Sequence, residues 1–190
     1  RTSLEGGVIK RRLFVNLLSL SRVFLGLLFF LLLQNYKLLE SLLVFLIGVF
    51  SDKLDGFLAR KLRVEKGWLG RIIDPVSDRI FVAFSFLGLY LTPLKVDVSF
   101  WVVFFTLGQD MLLAPLSAYV AIRRRRAVVS LFGKLATLYQ YVFVLLLLTA
   151  NLTSLSLNPT PFELLLLLFN LLSAGHHLYL WLLKGRNGVF

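Results

Sequence analysis

Six long apolar runs divide this sequence, and each is close to the length that an α-helix needs to cross a lipid bilayer. Hydrophobic residues make up 58% of the 190 residues and charged residues only 16%, which is far from the balance of soluble domains. A transmembrane helix needs about 20 apolar residues. The sequence therefore predicts an all-α polytopic membrane protein with six transmembrane helices. A short N-terminal juxtamembrane segment (1–12) precedes one membrane domain (13–190), whose predicted spans are 13–33, 38–62, 69–92, 98–120, 129–150 and 162–183.

The basic residues are distributed unevenly between the two ends of these spans. The three predicted outer loops contain only Lys37 and Lys95 of the 21 Lys and Arg. Because cytoplasmic loops carry the excess of Lys and Arg, we expect both termini and the stretch 52–78 to face the cytoplasm, in a cell inner membrane. The net charge of +11 then favours contact with anionic lipid headgroups or phosphorylated substrates over nucleic acid. The lack of cysteine excludes disulfides and thiol chemistry.

Four aspartates flank the predicted connection between the second and third spans, namely Asp52, Asp55, Asp74 and Asp78. Each pair is spaced by three or four residues, so its members share one face of a helix. A short connection makes the two helices antiparallel neighbours, and we expect the pairs to meet near the cytoplasmic surface. Carboxylates without Cys or nearby His form a hard oxygen site for one or two ions of Mg²⁺, Mn²⁺ or Ca²⁺. The alternative is a solvated interface in which these aspartates pair with neighbouring Lys and Arg.

Small residues and one arginine accompany the aspartates. Gly56 follows Asp55 inside the predicted helix, where glycine costs about 1 kcal/mol relative to alanine, so a close approach to the backbone is the expected reason for it. Ala59 and Gly70 are also small and would line the same groove. The planar guanidinium of Arg60 suits a phosphate. Together with metal ions, these residues predict a diphosphate-binding pocket.

The aspartates and the residues between them resemble the complete signature of the CDP-alcohol phosphotransferase family. The resemblance implies a six-helix membrane enzyme, usually a homodimer, with a divalent-metal site (Mg²⁺ or Mn²⁺) that faces the cytoplasm. The matching pattern is Asp52-x2-Asp55-Gly56-x2-Ala59-Arg60-x9-Gly70-x3-Asp74-x3-Asp78.

The resemblance also implies a role for each matching residue. All four aspartates would be metal ligands, and Asp78 would also be the general base that takes a proton from the acceptor hydroxyl. That hydroxyl oxygen would attack the β-phosphorus of the CDP-linked donor, and CMP would leave. The residues implied to contact the CDP donor are Asp52, Gly56, Ala59, Arg60 and Gly70.

Two further tracts resemble the phosphatidylglycerophosphate synthase and cardiolipin synthase branches of this family. One runs from Asn16 to Arg22, and the other is Gly133-Lys134-x2-Thr137-x2-Gln140. Lys134 is the preferred candidate for binding an acceptor phosphate, with Arg123 of the 123–126 arginine block and Arg22 as further candidates. The arginine block is better explained as an anchor on anionic lipid, Lys134 could equally reach the membrane interface, and Arg22 could instead pair with Asp110. Ala136, Gln109-Asp110 and the segment Asp74-Pro-Val-Ser-Asp78 depart from the common pattern of phosphatidylglycerophosphate synthases.

The predicted reaction is transfer of a phosphatidyl group from CDP-diacylglycerol to an alcohol, as in phospholipid biosynthesis. The expected acceptor is glycerol 3-phosphate, which would give phosphatidylglycerophosphate. Phosphatidylglycerol, giving cardiolipin, and inositol phosphate are alternatives. A cation transporter is a remote alternative, because a transport path would place acidic residues near the membrane midplane or along several helices. A non-catalytic relative is disfavoured because no signature residue is missing.

Overall fold

A computed structural model describes the backbone of residues 2–61, 68–124 and 131–186, and the side chains of 17, 19–51, 73, 76–112 and 132–179. Every regular element in these ranges is an α-helix, which confirms the predicted all-α class and the six helices. The leucine-rich runs explain this outcome, because Leu is a strong helix former. The helices are α1 (Thr2–Gln34), α2 (Leu38–Lys61), α3 (Trp68–Leu91), α4 (Phe100–Arg124), α5 (Leu131–Leu152) and α6 (Thr160–Arg186).

Two helices, α5 and α6, are long and apolar enough within the described residues to cross a membrane, over Phe132–Leu152 and Thr160–Tyr179. Three other apolar helical stretches, in α1, α2 and α4, are shorter in the same part of the chain; they are Ser19–Gln34, Leu38–Ser51 and Phe100–Leu112. The six predicted spans therefore correspond to six helices, of which two have the length and composition of a span within the described residues.

Helix α3 lies at the centre of the bundle and packs against α1, α4 and α5. Helix α1 also packs against α2, while α6 packs against α4 and α5. The rings of Phe45 on α2 and Phe81 on α3 stack with centroids 5.6 Å apart, and Tyr141 on α5 meets both rings edge-on. This aromatic cluster fixes the position of α3 relative to its neighbours on two sides.

The first and fifth helices end in the same way. Tyr36 and Ser154 have positive φ angles of 58° and 55°. After α1, the Lys37 amide donates to Leu32 O at 3.0 Å, and after α5, the Leu155 amide donates to Ala150 O at 2.9 Å. These bonds satisfy carbonyls that a helix end leaves open, in the Schellman arrangement. The two tight turns return the chain at the same end of the bundle.

Asn151 attaches the connection between α3 and α4 to the end of α5. Its side chain accepts a hydrogen bond from Val96 N at 3.0 Å and donates to Val96 O at 2.8 Å. Both residues are buried, so these bonds replace the water that would otherwise solvate a loop backbone. The side-chain amide of Asn151 thus satisfies both the backbone N–H and the backbone C=O of the buried Val96.

Asn151→Ala is expected to lower stability by about 2–6 kcal/mol, because a buried unsatisfied polar group costs about 1–3 kcal/mol and two would be created. Thermal unfolding of the purified protein in detergent measures this. Asn158→Ala is the matched control, since Asn158 is exposed and accepts one bond from the Thr160 amide at 3.1 Å. Equal losses in the two variants would contradict the role given to Asn151.

Candidate active site

Contacts between α2 and α3 set the register of the four predicted aspartate ligands. A Cβ atom added to Gly48 would lie 2.4 Å from Cζ of Phe81, so these two positions face each other. Asp55 lies seven residues after Gly48 on α2, and Asp74 lies seven residues before Phe81 on α3. Since the helices run in opposite directions and rise 1.5 Å per residue, both positions lie about 10 Å beyond this contact, towards the same end of the bundle.

Asp52 and Asp78 lie nearer to the same contact, four residues after Gly48 and three residues before Phe81. The backbone is thus helical at all four aspartate positions, and all four lie on the same side of the contact between Gly48 and Phe81. The same end of α2 contains Gly56, Ala59 and Arg60, and the first turn of α3 contains Gly70. Of the four carboxylates, the described side chains include only that of Asp78.

The carboxylate of Asp78 forms an ion pair with Arg22 of α1. Nη1 of Arg22 donates to Oδ1 of Asp78. The arginine side chain is 2% exposed and the aspartate side chain 31% exposed, so the pair lies at the boundary between the packed interior and an open surface. A carboxylate has about four lone-pair sites, and Asp78 therefore keeps capacity for further partners.

Close packing of α1 on α3 brings Arg22 to this position. A Cβ added to Gly26, one turn beyond Arg22, would lie 3.2 Å from Cα of Phe81. Farther along, Nε2 of Gln34 donates to Oγ1 of Thr92 at 3.1 Å. The two helices thus run parallel and in contact from Arg22 onward, and glycine is needed where their backbones approach most closely.

A second, partly buried ion pair joins α3 to α4, and it corrects one expectation from the sequence. Asp110 pairs with Arg79 and not with Arg22. Arg79 follows Asp78 in the chain and points about 100° around α3 from it, towards α4, whereas Arg22 lies on the side of α3 that α1 covers. The Asp110 side chain is buried, and its Oδ2 has no hydrogen-bond partner among the described residues.

Sequence reasoning missed a polar tract that continues from Asp110 into the bundle. Thr106, one turn before Asp110 on α4, accepts a hydrogen bond from Nδ2 of Asn170 at 3.0 Å. Nε2 of Gln140 on α5 donates to Oδ1 of the same asparagine at 3.3 Å. All three residues are buried, so the tract ties α4, α5 and α6 together. The signal that could have found it is a lone asparagine within the leucine-rich run of α6.

The residues predicted to hold an acceptor phosphate lie on three different helices, α1, α4 and α5. Lys134 lies in the first turn of α5 with an exposed side chain. Arg123 lies in the last turn of α4, and its side chain is outside the described residues, as are Arg125 and Arg126 entirely. Arg22 is buried against Asp78. Among the three, Lys134 is thus the cation that the structure describes as open to solvent.

The four aspartates at this end of the bundle are of the residue type that binds a hard divalent cation, and they occupy nearby positions on two facing helices. Asp78 presents a partly exposed carboxylate, and three more carboxylates occupy neighbouring helical positions. All are oxygen donors of the kind that Mg²⁺ and Mn²⁺ prefer. Within the described side chains no group of three or more His, Cys, Asp or Glu converges, but Asp52, Asp55 and Asp74 lie outside that set.

Comparison with known proteins finds relatives with established names. The chain is 38% identical over 126 residues to the CDP-diacylglycerol–glycerol-3-phosphate 3-phosphatidyltransferase of Aquifex aeolicus, covering 65% of this chain and 68% of that protein. It is 34% and 28% identical to the CMP-forming cardiolipin synthases of Streptomyces coelicolor and Rattus norvegicus. Those two alignments cover 57% of this chain but 50% and 35% of the relatives, so the chain spans half or less of their length.

The matched region contains every predicted site residue. The family model for CDP-alcohol phosphatidyltransferase matches residues 12–176, which extend from α1 to α6 and include both Arg22 and Lys134. The eight signature positions fall in the first half of this match, on α2 and α3. The chain belongs to the CDP-alcohol phosphatidyltransferase family.

Proposed function

We propose that this chain transfers a phosphatidyl group from CDP-diacylglycerol to an alcohol and releases CMP, a step of phospholipid biosynthesis. The observation that carries the proposal is the complete eight-position signature inside the region that matches the family. The printed names of the relatives support the donor, since they include a CDP-diacylglycerol-dependent enzyme and CMP-forming enzymes.

Asp78 is the proposed general base. Its carboxylate is partly exposed at the end of the bundle where the other signature residues lie. It takes the proton of the acceptor hydroxyl, the hydroxyl oxygen forms a bond to the β-phosphorus, and the bond from that phosphorus to the CMP oxygen breaks. A positioned carboxylate can serve as such a base because contact with the acceptor sets its working basicity.

The remaining signature residues are proposed to hold the donor. Asp52, Asp55, Asp74 and Asp78 would bind one or two Mg²⁺ or Mn²⁺ ions, which would neutralise charge on the diphosphate. Glycine and alanine on the facing helices would admit the nucleotide close to the backbone, while the arginine holds the phosphates. The proposed donor contacts are Asp52, Gly56, Ala59, Arg60 and Gly70.

Glycerol 3-phosphate is the proposed acceptor, with phosphatidylglycerol or inositol phosphate as alternatives. Support comes from the first relative, which is named for glycerol 3-phosphate, and from Lys134, which is exposed at the start of α5. Phosphatidylglycerol is the second choice because two of the relatives are named as cardiolipin synthases. Lys134 and Arg123 are better candidates for the acceptor phosphate than Arg22, whose guanidinium is engaged with Asp78.

We further propose that all six helices cross the membrane, with both termini and the active site on the cytoplasmic side and with a homodimer as the working form. Exposed apolar side chains on the outer faces support the membrane placement, for example Phe24 (73% exposed), Met111 (78%) and Leu171 (67%). Large exposed apolar surface is typical of proteins that face lipid or a partner. The distribution of Lys and Arg supports the orientation.

The direct test is CMP release by the purified protein with CDP-diacylglycerol, Mg²⁺ or Mn²⁺, and a panel of alcohols. Glycerol 3-phosphate is expected to raise release above the acceptor-free background more than phosphatidylglycerol or inositol phosphate does. Chelation of the metal is expected to abolish release, and added metal to restore it. If no alcohol supports CMP release, the enzymatic proposal is wrong; ion flux into proteoliposomes would then favour the transporter alternative.

A further inference from the structure

Arg22 is a charged side chain buried at a helix–helix contact, and this placement needs a reason. It lies in the apolar part of α1, within the predicted first span, and is 2% exposed. Ionisable side chains at such positions are energetically expensive, and in membrane bundles they usually serve function. Its described partner is Asp78 on α3, 56 residues away in the chain. The partner is thus the residue proposed above as the base.

The backbone around this ion pair leaves the guanidinium little freedom. Gly26 sits one turn from Arg22, and Phe81 sits one turn from Asp78; the backbones of α1 and α3 approach closely where these two residues meet. The Phe81 ring is itself held between Phe45 and Tyr141. An arginine also has a rigid planar donor group, unlike lysine. Both partners of the pair are therefore fixed by neighbouring packing.

We propose that Arg22 is a positioning residue, which holds Oδ1 of Asp78 so that the second carboxylate oxygen is presented to the acceptor hydroxyl. This inference rests on the proposed function of Asp78 as the base. It differs from a role in binding the acceptor phosphate, because a phosphate would have to compete with the Asp78 carboxylate for a guanidinium that is 2% exposed. Breaking such an ion pair is strongly unfavourable.

The test compares Arg22→Gln and Arg22→Lys with the wild type in the CMP-release assay. Arg22→Gln is expected to reduce kcat about 100-fold, since a misplacement of about 1 Å in a reacting group has an effect of this size. The KM values for CDP-diacylglycerol and for the acceptor are expected to stay near those of the wild type. Arg22→Lys retains the charge and is expected to recover part of kcat.

Arg79→Gln is the matched control, because it makes the same change in the neighbouring, partly buried ion pair with Asp110. It is expected to lower thermal stability as Arg22→Gln does, but to retain most of kcat. A raised KM for the acceptor with unchanged kcat in Arg22→Gln would overturn the inference and assign Arg22 to the acceptor phosphate. If Arg22→Gln keeps the kcat and KM of the wild type, the inference is also overturned, and Arg22 contributes only to folding. If Arg22→Gln does not fold, the same comparison is made with Arg22→Lys.

A measurement without turnover separates failure of this inference from failure of the proposed function. Thermal unfolding is compared for Arg22→Gln, Asp78→Asn and the double variant. If the pair holds the carboxylate, the double variant unfolds at a temperature no lower than the less stable single variant. Additive losses would show that Arg22 does not hold Asp78, and would overturn the inference even if the wild type is active. If the wild type releases no CMP but the two substitutions are strongly coupled in thermal unfolding, the proposed function is refuted instead.

Discussion

Asp78→Asn is expected to reduce CMP release by about 10²- to 10⁴-fold, the range that general base catalysis contributes. The amide of asparagine matches the carboxylate in size but cannot take the acceptor proton. It also weakens the interaction with the buried Arg22 guanidinium, so a loss of stability accompanies the loss of activity. The measurement is kcat for CMP release at saturating donor and acceptor, with the thermal midpoint determined on the same sample.

Two matched variants separate chemistry from folding in this experiment. Asp97→Asn makes the same change at an exposed position in the connection between α3 and α4 and is expected to leave kcat and stability unchanged. Asp110→Asn disturbs the other, partly buried ion pair and is expected to lower stability with a much smaller effect on kcat. If Asp78→Asn keeps the turnover of the wild type, Asp78 is not the base, whatever the stability of the variant.

The sequence was sufficient to predict the helices and the placement of the signature positions on α2 and α3. Apolar runs of about 20 residues can bury their backbone polar groups only as helices in an apolar environment, so the element type follows from length and composition. The antiparallel relation of α2 and α3 follows from the connection between them. The contact between Gly48 on α2 and Phe81 on α3 sets a helix register that is consistent with the expectation that Asp52, Asp55, Asp74 and Asp78 lie at one end of the bundle.

The sequence was not sufficient to predict which buried charges pair with each other. Arg22, Arg79 and Asp110 all stand in apolar helices, and spacing along the chain does not tell which helix covers which side of α3. That choice depends on lateral packing: Gly26 lets α1 approach one side of α3, which brings Arg22 to Asp78 and leaves Arg79 for Asp110. The hydrogen bonds between Asn170 and its neighbours depend on packing among α4, α5 and α6 in the same way.

Gly48→Ala is the structural substitution with the largest expected effect. The added methyl group would lie 2.4 Å from Cζ and 2.5 Å from Cε2 of Phe81, far inside van der Waals contact. The ring cannot move away easily because it is buried and stacked on Phe45, with Tyr141 at its edge. Overpacking of this kind costs about 1–3 kcal/mol, and thermal unfolding in detergent is expected to show a lower midpoint. Activity is expected to fall as well, because α3 must shift close to Asp78.

Two comparisons identify the clash as the cause. Gly108→Ala on α4 adds the same methyl group where nothing described lies within 4 Å, so it is expected to be neutral or stabilising by up to about 1 kcal/mol through helix propensity. Combining Gly48→Ala with Phe81→Leu removes the ring that the methyl group meets. The double variant is expected to be more stable than the sum of the two single losses predicts. Strict additivity would mean that Gly48 and Phe81 do not touch, and the register that aligns the four aspartates would lose its support.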